Sequence, residues 1–87
     1  MSVNSYPVDL GAAFFDASGT KIFESMNRVG KDQTLPPIGI GATLEVLDAA
    51  TGQHYLGTVS TIKSFWQLDG SNLAYSTFIQ CINSYRL

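Results

Sequence analysis

Charge is the scarcest property of this chain. Five Lys/Arg and seven Asp/Glu make up 14% of its 87 residues, against roughly 25% in an ordinary soluble domain. The five bases (Lys21, Arg28, Lys31, Lys63 and Arg86) are scattered, and acids stand between them. With a net charge of −2 and a pI near 4.9, they give no track for phosphates. Duplex nucleic acid is therefore an unlikely partner, because its binding needs clustered cations that release counterions.

Cysteine is nearly absent as well. Cys81 stands alone, whereas secreted domains of this size usually carry several paired cysteines. A lone Cys in an apolar stretch points to a reducing compartment. Long apolar runs are missing too. The longest, Gly11 to Phe15, falls far short of the roughly 18–20 residues that cross a bilayer as a helix. The start, Met1-Ser2-Val3-Asn4-Ser5-Tyr6-Pro7, has neither a basic opening nor an apolar signal core. A cytoplasmic protein without membrane attachment is the expectation.

Catalytic and metal-binding patterns are equally thin. One His and one Cys cannot build a zinc site of three or four N/S ligands. His54 follows a turn at the start of a strand, where a solvated role accounts for it; a catalytic base would need a nucleophile and an orienting acid. Cys81 lies between Gln80 and Ile82, without the adjacent cation that activates a thiol. Asp16, Asp48 and Asp69 each head a glycine-containing turn, and none of these turns holds two acids, as a calcium loop would. Gly39-Ile40-Gly41 lacks the third glycine of a dinucleotide loop and the lysine of a phosphate loop. The expectation is a non-enzyme with no catalytic residues, no metal and no cofactor.

What the chain has in place of charge is amide and hydroxyl: 9 Ser, 7 Thr, 4 Asn and 4 Gln. Such a surface is cheap to desolvate. It also has five Phe, four Tyr and one Trp, more rings than so small a core readily hides.

Turn signals recur at strand spacing. Val8–Phe15 reads as a first strand, Asp16-Ala17-Ser18-Gly19 as a turn, and Lys21–Met26 as a second strand. The Asp16 carboxylate can accept the N–H two residues on, and Gly19 can take positive φ. Residues 27–41, with Gly30, Leu35-Pro36-Pro37, Gly39 and Gly41, read as a long connecting loop. Ala42–Leu47 follows as a third strand, with Leu44 and Val46 turned inward. Asp48-Ala49-Ala50-Thr51-Gly52 fits a type I turn closed by a left-handed glycine.

The fourth strand starts at Gln53. Gly57 and a shift in its apolar register suggest a bulge or a close approach. Asp69-Gly70-Ser71-Asn72 is the last turn. Leu73–Tyr85 is read as a strand on propensity, with a helix capped by Ser71 or Asn72 as the alternative. The predicted fold is one mainly β domain, 1–87: a single antiparallel sheet of about five strands, partly closed as a barrel or twisted as a meander. A C-terminal helix would make it α+β.

Tyr55, Phe65, Trp66, Tyr75 and Tyr85 are the candidate interaction surface. On strict alternation Tyr55 and Phe65 share a face and Trp66 lies on the other, opposite Tyr75 across the hairpin; alternatively Trp66 fills the core. Interfaces are poor in charge at their centre and rich in aromatics. The function expected is association, with itself through a sheet edge or aromatic face, or with a protein partner. The protein would serve as a structural subunit or a small inhibitor or adaptor, of a kind that viruses and mobile elements encode. The alternative is a carbohydrate- or single-strand-binding module that stacks ligands on exposed rings.

Overall fold

Five strands account for most of the described chain. They are β1 (Pro7–Phe15), β2 (Lys21–Lys31), β3 (Thr43–Asp48), β4 (Gln53–Asp69) and β5 (Asn72–Arg86). The computed structural model describes residues 7–31 and 38–87, with the backbone alone at 28–31 and 69. One sheet contains all five strands, in the order β2-β1-β5-β4-β3, and curls into a half-barrel. The C-terminal segment is a strand, as its propensity indicates. β1 and β2, β3 and β4, and β4 and β5 pair antiparallel, but β1 and β5 lie parallel, Val8 beside Tyr75 through Phe14 beside Cys81. No short-range pattern announces that pairing, because it joins the two ends of the chain.

Local chemistry explains the turns. Asp16 Oδ1 accepts the backbone N–H of Ser18 and of Thr20, both at 2.9 Å, and the Ser18 hydroxyl at 2.6 Å. These bonds, the Ser18 hydroxyl foremost, hold the Asp16 carboxyl below its ordinary value. In the β3–β4 turn, Gly52 donates to the Asp48 carbonyl at 2.7 Å and Ala50 to its carboxylate at 3.1 Å. Gly52 takes a φ of 74°, the left-handed closure expected. Gly70, at φ 66°, occupies the first of two central positions between Asp69 and Asn72, the place a type II′ hairpin turn gives to glycine.

The connection after β2 is shorter than the sequence suggests. β2 runs on to Lys31, and β1 pairs with it as far as Pro7 beside Lys31. Residues 27–31 are thus strand, despite Gly30. The Leu35-Pro36-Pro37 part of the expected loop lies outside the described residues.

The core fills the inner face of the half-barrel. Phe14, Tyr55, Val59, Ile79 and Cys81 are buried, and Leu10, Ala12, Phe23, Leu44, Val46 and Ile62 pack around them. Curling brings Phe23 of β2 onto Tyr55 of β4, with ring centroids 4.4 Å apart and nearly parallel. Phe14 meets Phe23 edge-on at 6.0 Å. Leu44 and Val46 face inward as the alternation of β3 requires.

Two irregularities shape the β4–β5 ladder. Asn83 and Ser84 together oppose Gly57, and Ser60 is an extra residue in β4 opposite Cys81 and Gln80. Asn83 absorbs the first at φ 52°, a conformation Asn tolerates better than most residues. The Ser60 hydroxyl donates to the Gln80 carbonyl at 3.1 Å, which pins the second. A close approach accompanies the first bulge: a Cβ on Gly57 would overlap Ser84 Oγ and lie 2.9 Å from Cys81 Cβ.

Candidate interaction surface

The Ser60 bulge decides where the aromatic residues point. Before it, Tyr55, Gly57 and Val59 face inward and are buried. An inserted residue reverses the parity of a strand. After it, the even-numbered residues Ile62, Ser64, Trp66 and Leu68 therefore share the inner face, while Thr61, Lys63, Phe65 and Gln67 share the outer one. The register agrees: Ile62 lies beside Ile79, Ser64 beside Thr77, and Trp66 beside Tyr75. Strict alternation, the basis for grouping Tyr55 with Phe65, fails here; Tyr55 and Trp66 belong to one face.

The five aromatic candidates consequently scatter. Tyr55 is a core residue, only 9% exposed, stacked on Phe23 and with the Arg86 guanidinium 5.7 Å from its ring centroid. It is no part of a docking surface. Tyr85 is exposed but stands ten positions along β5 from Tyr75, about 33 Å away on an extended strand. Phe65 is on the outer face. Only Trp66 and Tyr75 meet, at 5.0 Å between centroids with rings tilted 58° to each other. Trp66 is 53% exposed, because it sits past the end of the packed core and does not fill it. The tilt leaves the pair without a flat stacking platform.

Other exposed apolar residues, outside the aromatic set, surround that pair. Leu68 and Leu73 lie side by side at the hairpin tip, 72% and 51% exposed. On the inner face Leu68/Leu73, Trp66/Tyr75, Ser64/Thr77 and Ile62/Ile79 form successive cross-strand rows. The apolar stripe thus runs out of the core along a protruding arm. Ser64 and Thr77 join their hydroxyls at 2.9 Å within it. Their signal was in the sequence: Leu68 and Leu73 flank the Asp69–Asn72 turn symmetrically, so hairpin pairing had to bring them together.

On the outer face Thr61, Lys63, Phe65, Phe78 and Gln80 line an open groove of about 470 Å³. Gly11 is beneath Phe78 and Met26, whose side chains occupy the space its missing Cβ leaves. Met26 is half exposed.

Along the arm, β4 outruns its neighbour β3. β3 pairs with β4 only from Gln53 to Thr58, and Ala42 and Gly41 extend the contact to Val59. Among the described residues no strand pairs with that side of β4 from Thr61 to Asp69. The molecule measures 49 × 27 × 23 Å, a length set by the β4–β5 hairpin.

The remaining chemistry-bearing residues are separated. His54 Nδ1 lies 2.8 Å from Glu45 Oε2, both half exposed. Cys81 is fully buried, and desolvation raises its thiol. Among the described residues no three His, Cys, Asp or Glu side chains converge, and no helix is long and apolar enough to cross a membrane. No protein-family profile, curated protein or solved structure matches the chain.

Proposed function

We propose that the protein acts by association, not by turnover: it docks through the β4–β5 arm onto another protein surface, a second copy included, as a structural subunit or a small inhibitor or adaptor. The observation that supports this reading is the coincidence, on one arm, of exposed Leu68, Leu73 and Trp66 with a strand edge that no described strand pairs. Isolated exposed apolar residues need no explanation, but contiguous ones mark interaction sites. An open apolar edge invites strand addition unless charge or proline guards it. Between Ser60 and Leu68 this edge has one guard, Lys63, and no proline.

Light scattering across a concentration range tests the reading. Wild type should exceed its 9.4 kDa chain mass, alone or with a protein of its host. A Leu68→Asn/Leu73→Asn variant with an unchanged circular dichroism spectrum should lose that association. A wild type that stays at chain mass at the highest concentration and binds no protein refutes it, as does a double variant that associates unchanged. Oligosaccharide binding is the second reading, supported by the half-exposed Trp66; tryptophan fluorescence unmoved by added oligosaccharide would end it.

A further inference from the structure

We infer that the outer face of the β4–β5 arm is a binding site for a small aromatic carboxylate, its acid group on Lys63 and its ring in the groove between Phe65 and Phe78. The inference goes beyond the association reading and does not rest on it, because the groove is on the face opposite Leu68, Leu73 and Trp66.

The hairpin turn sets the width of the groove. A two-residue loop is closed by a hydrogen-bonded pair, so Asp69 and Asn72 exchange their bonds with each other. Pairing from Thr61 to Asp69 is regular, so bonded and non-bonded rows alternate along it. Thr61, Lys63, Phe65 and Gln67 then bond to β5, and their rows, the wider kind, make up the outer face. On the inner face the closer, non-bonded rows bring Ser64 to Thr77 at 2.9 Å and Trp66 to Tyr75 at 5.0 Å. Phe78, opposite Lys63, leans away from β4 into the space over Gly11, where a Cβ would lie 2.7 Å from its Cδ1. The wide rows and that lean leave the open groove of about 470 Å³, a volume in the range of ligand pockets.

The two ends of the groove differ in chemistry. At one end Thr61 faces Gln80, and Lys63 follows about 7 Å along the same face of β4. The Lys63 ammonium, the Gln80 amide and the Thr61 hydroxyl have no hydrogen-bond or ion-pair partner among the described residues. Three neighbouring donors without an acceptor suit a carboxylate, whose two oxygens accept several bonds. The ammonium selects an anion and strengthens its bond through charge. At the other end Ser76 is fully buried, with its hydroxyl turned to Gln67 at 3.4 Å. What the groove offers there is the rings of Phe65 and Phe78, which receive a third ring edge-on or offset. Among the described residues no second cation lines the groove, so one negative charge is matched and a polyphosphate is not.

Phenylpropionate is the probe, titrated into dilute protein and followed by amide chemical shifts. It should bind with a millimolar Kd, as a ligand of so few atoms does on an open site, and shift Thr61, Lys63, Phe65, Phe78 and Gln80. Phenylpropanamide, its neutral counterpart, and acetate, which lacks the ring, should each bind at least about three-fold more weakly. Lys63 is exposed and its backbone bonds to β5, so Lys63→Met leaves the hairpin ladder intact. That variant should lose the preference for phenylpropionate over phenylpropanamide while its affinity for the neutral probe stays the same. Phe65→Ser should weaken both aromatic probes. The inference is overturned if phenylpropionate moves none of those amides up to about 20 mM, if the neutral probe binds as tightly, or if Lys63→Met keeps the preference. An acetylated tetrapeptide ending in phenylalanine that binds where free phenylpropionate does not also overturns it, since the occupant is then a protein terminus. None of these results touches association through the arm, which light scattering decides.

Discussion

Replacing Gly57 by alanine should destabilise the fold, although alanine normally favours a strand over glycine. The added Cβ would overlap Ser84 Oγ, lie 2.9 Å from Cys81 Cβ and 3.1 Å from Phe14 Cδ2. Ordinary contacts start near 3.5 Å, so several neighbours must move. Phe14 and Cys81 are fully buried and cannot swing into solvent. Overpacking of this kind costs about 1–3 kcal/mol. Restricting the unfolded chain returns about 0.4–1 kcal/mol. The net loss is about 1–2 kcal/mol, a fall in Tm of roughly 4–16 °C for a domain of this size.

Gly11→Ala provides the contrast. Its Cβ would meet Met26 Cε at 2.8 Å and Phe78 Cδ1 at 2.7 Å, but Met26 is half exposed and flexible, so that variant should lose less. Thermal and urea unfolding followed by circular dichroism at one fixed protein concentration measures both, which keeps any association constant. Removing the Ser84 hydroxyl should soften the Gly57→Ala loss, a coupling readable from the double variant. A Gly57→Ala protein as stable as wild type would refute the assigned packing of the bulge.

Three further outcomes follow from single residues. Ser84 Oγ is buried with no hydrogen-bond partner among the described residues, so Ser84→Ala should keep or raise stability, by up to about 1 kcal/mol; a loss above that in urea unfolding would contradict the placement. The Asp16 carboxyl is lowered in the folded state, so its contribution is complete above the ordinary carboxyl value near 4 and disappears as pH falls through the folded one. Asp16→Asn should flatten the acid limb of an unfolding titration between about pH 5 and 2, and an unchanged limb would count against the turn's bonds. Cys81, fully buried with its thiol raised by desolvation, should resist a thiol-reactive disulfide reagent until the protein unfolds; fast labelling of folded protein would show the core to be open there.

Strand content and turn chemistry could be read from the sequence because both are local. Asp48 with Gly52, and Asp16 with Gly19, act through bonds that span a few residues. The inward pair Leu44/Val46 followed from period two alone. What stayed hidden was non-local. The parallel β1–β5 pairing depends on how the sheet closes on itself, and β2 continues through Gly30 because β1 offers it a partner. The Ser60 bulge has no compositional signature, since serine fits any strand, yet it determines which way every later residue of β4 points. Trp66 and Tyr75 could be placed together because the Asp69–Asn72 turn fixes their register. Strict alternation groups Tyr55 with Phe65 and fails because a residue is inserted between them. The overhang of β4 was invisible because it depends on how far the six residues of β3 fall short of the seventeen of β4.

Amide hydrogen exchange on the β4 strand, measured residue by residue across protein concentrations, tests the central claim most directly. Thr61, Lys63, Phe65 and Gln67 should be protected at every concentration, by β5. Ile62, Ser64 and Leu68 should exchange quickly in dilute protein and slow by at least ten-fold as the protein is concentrated. If those three amides exchange at the same rate at 1 μM and at about 1 mM, and do not slow when a protein partner is added, the arm does not associate through this strand.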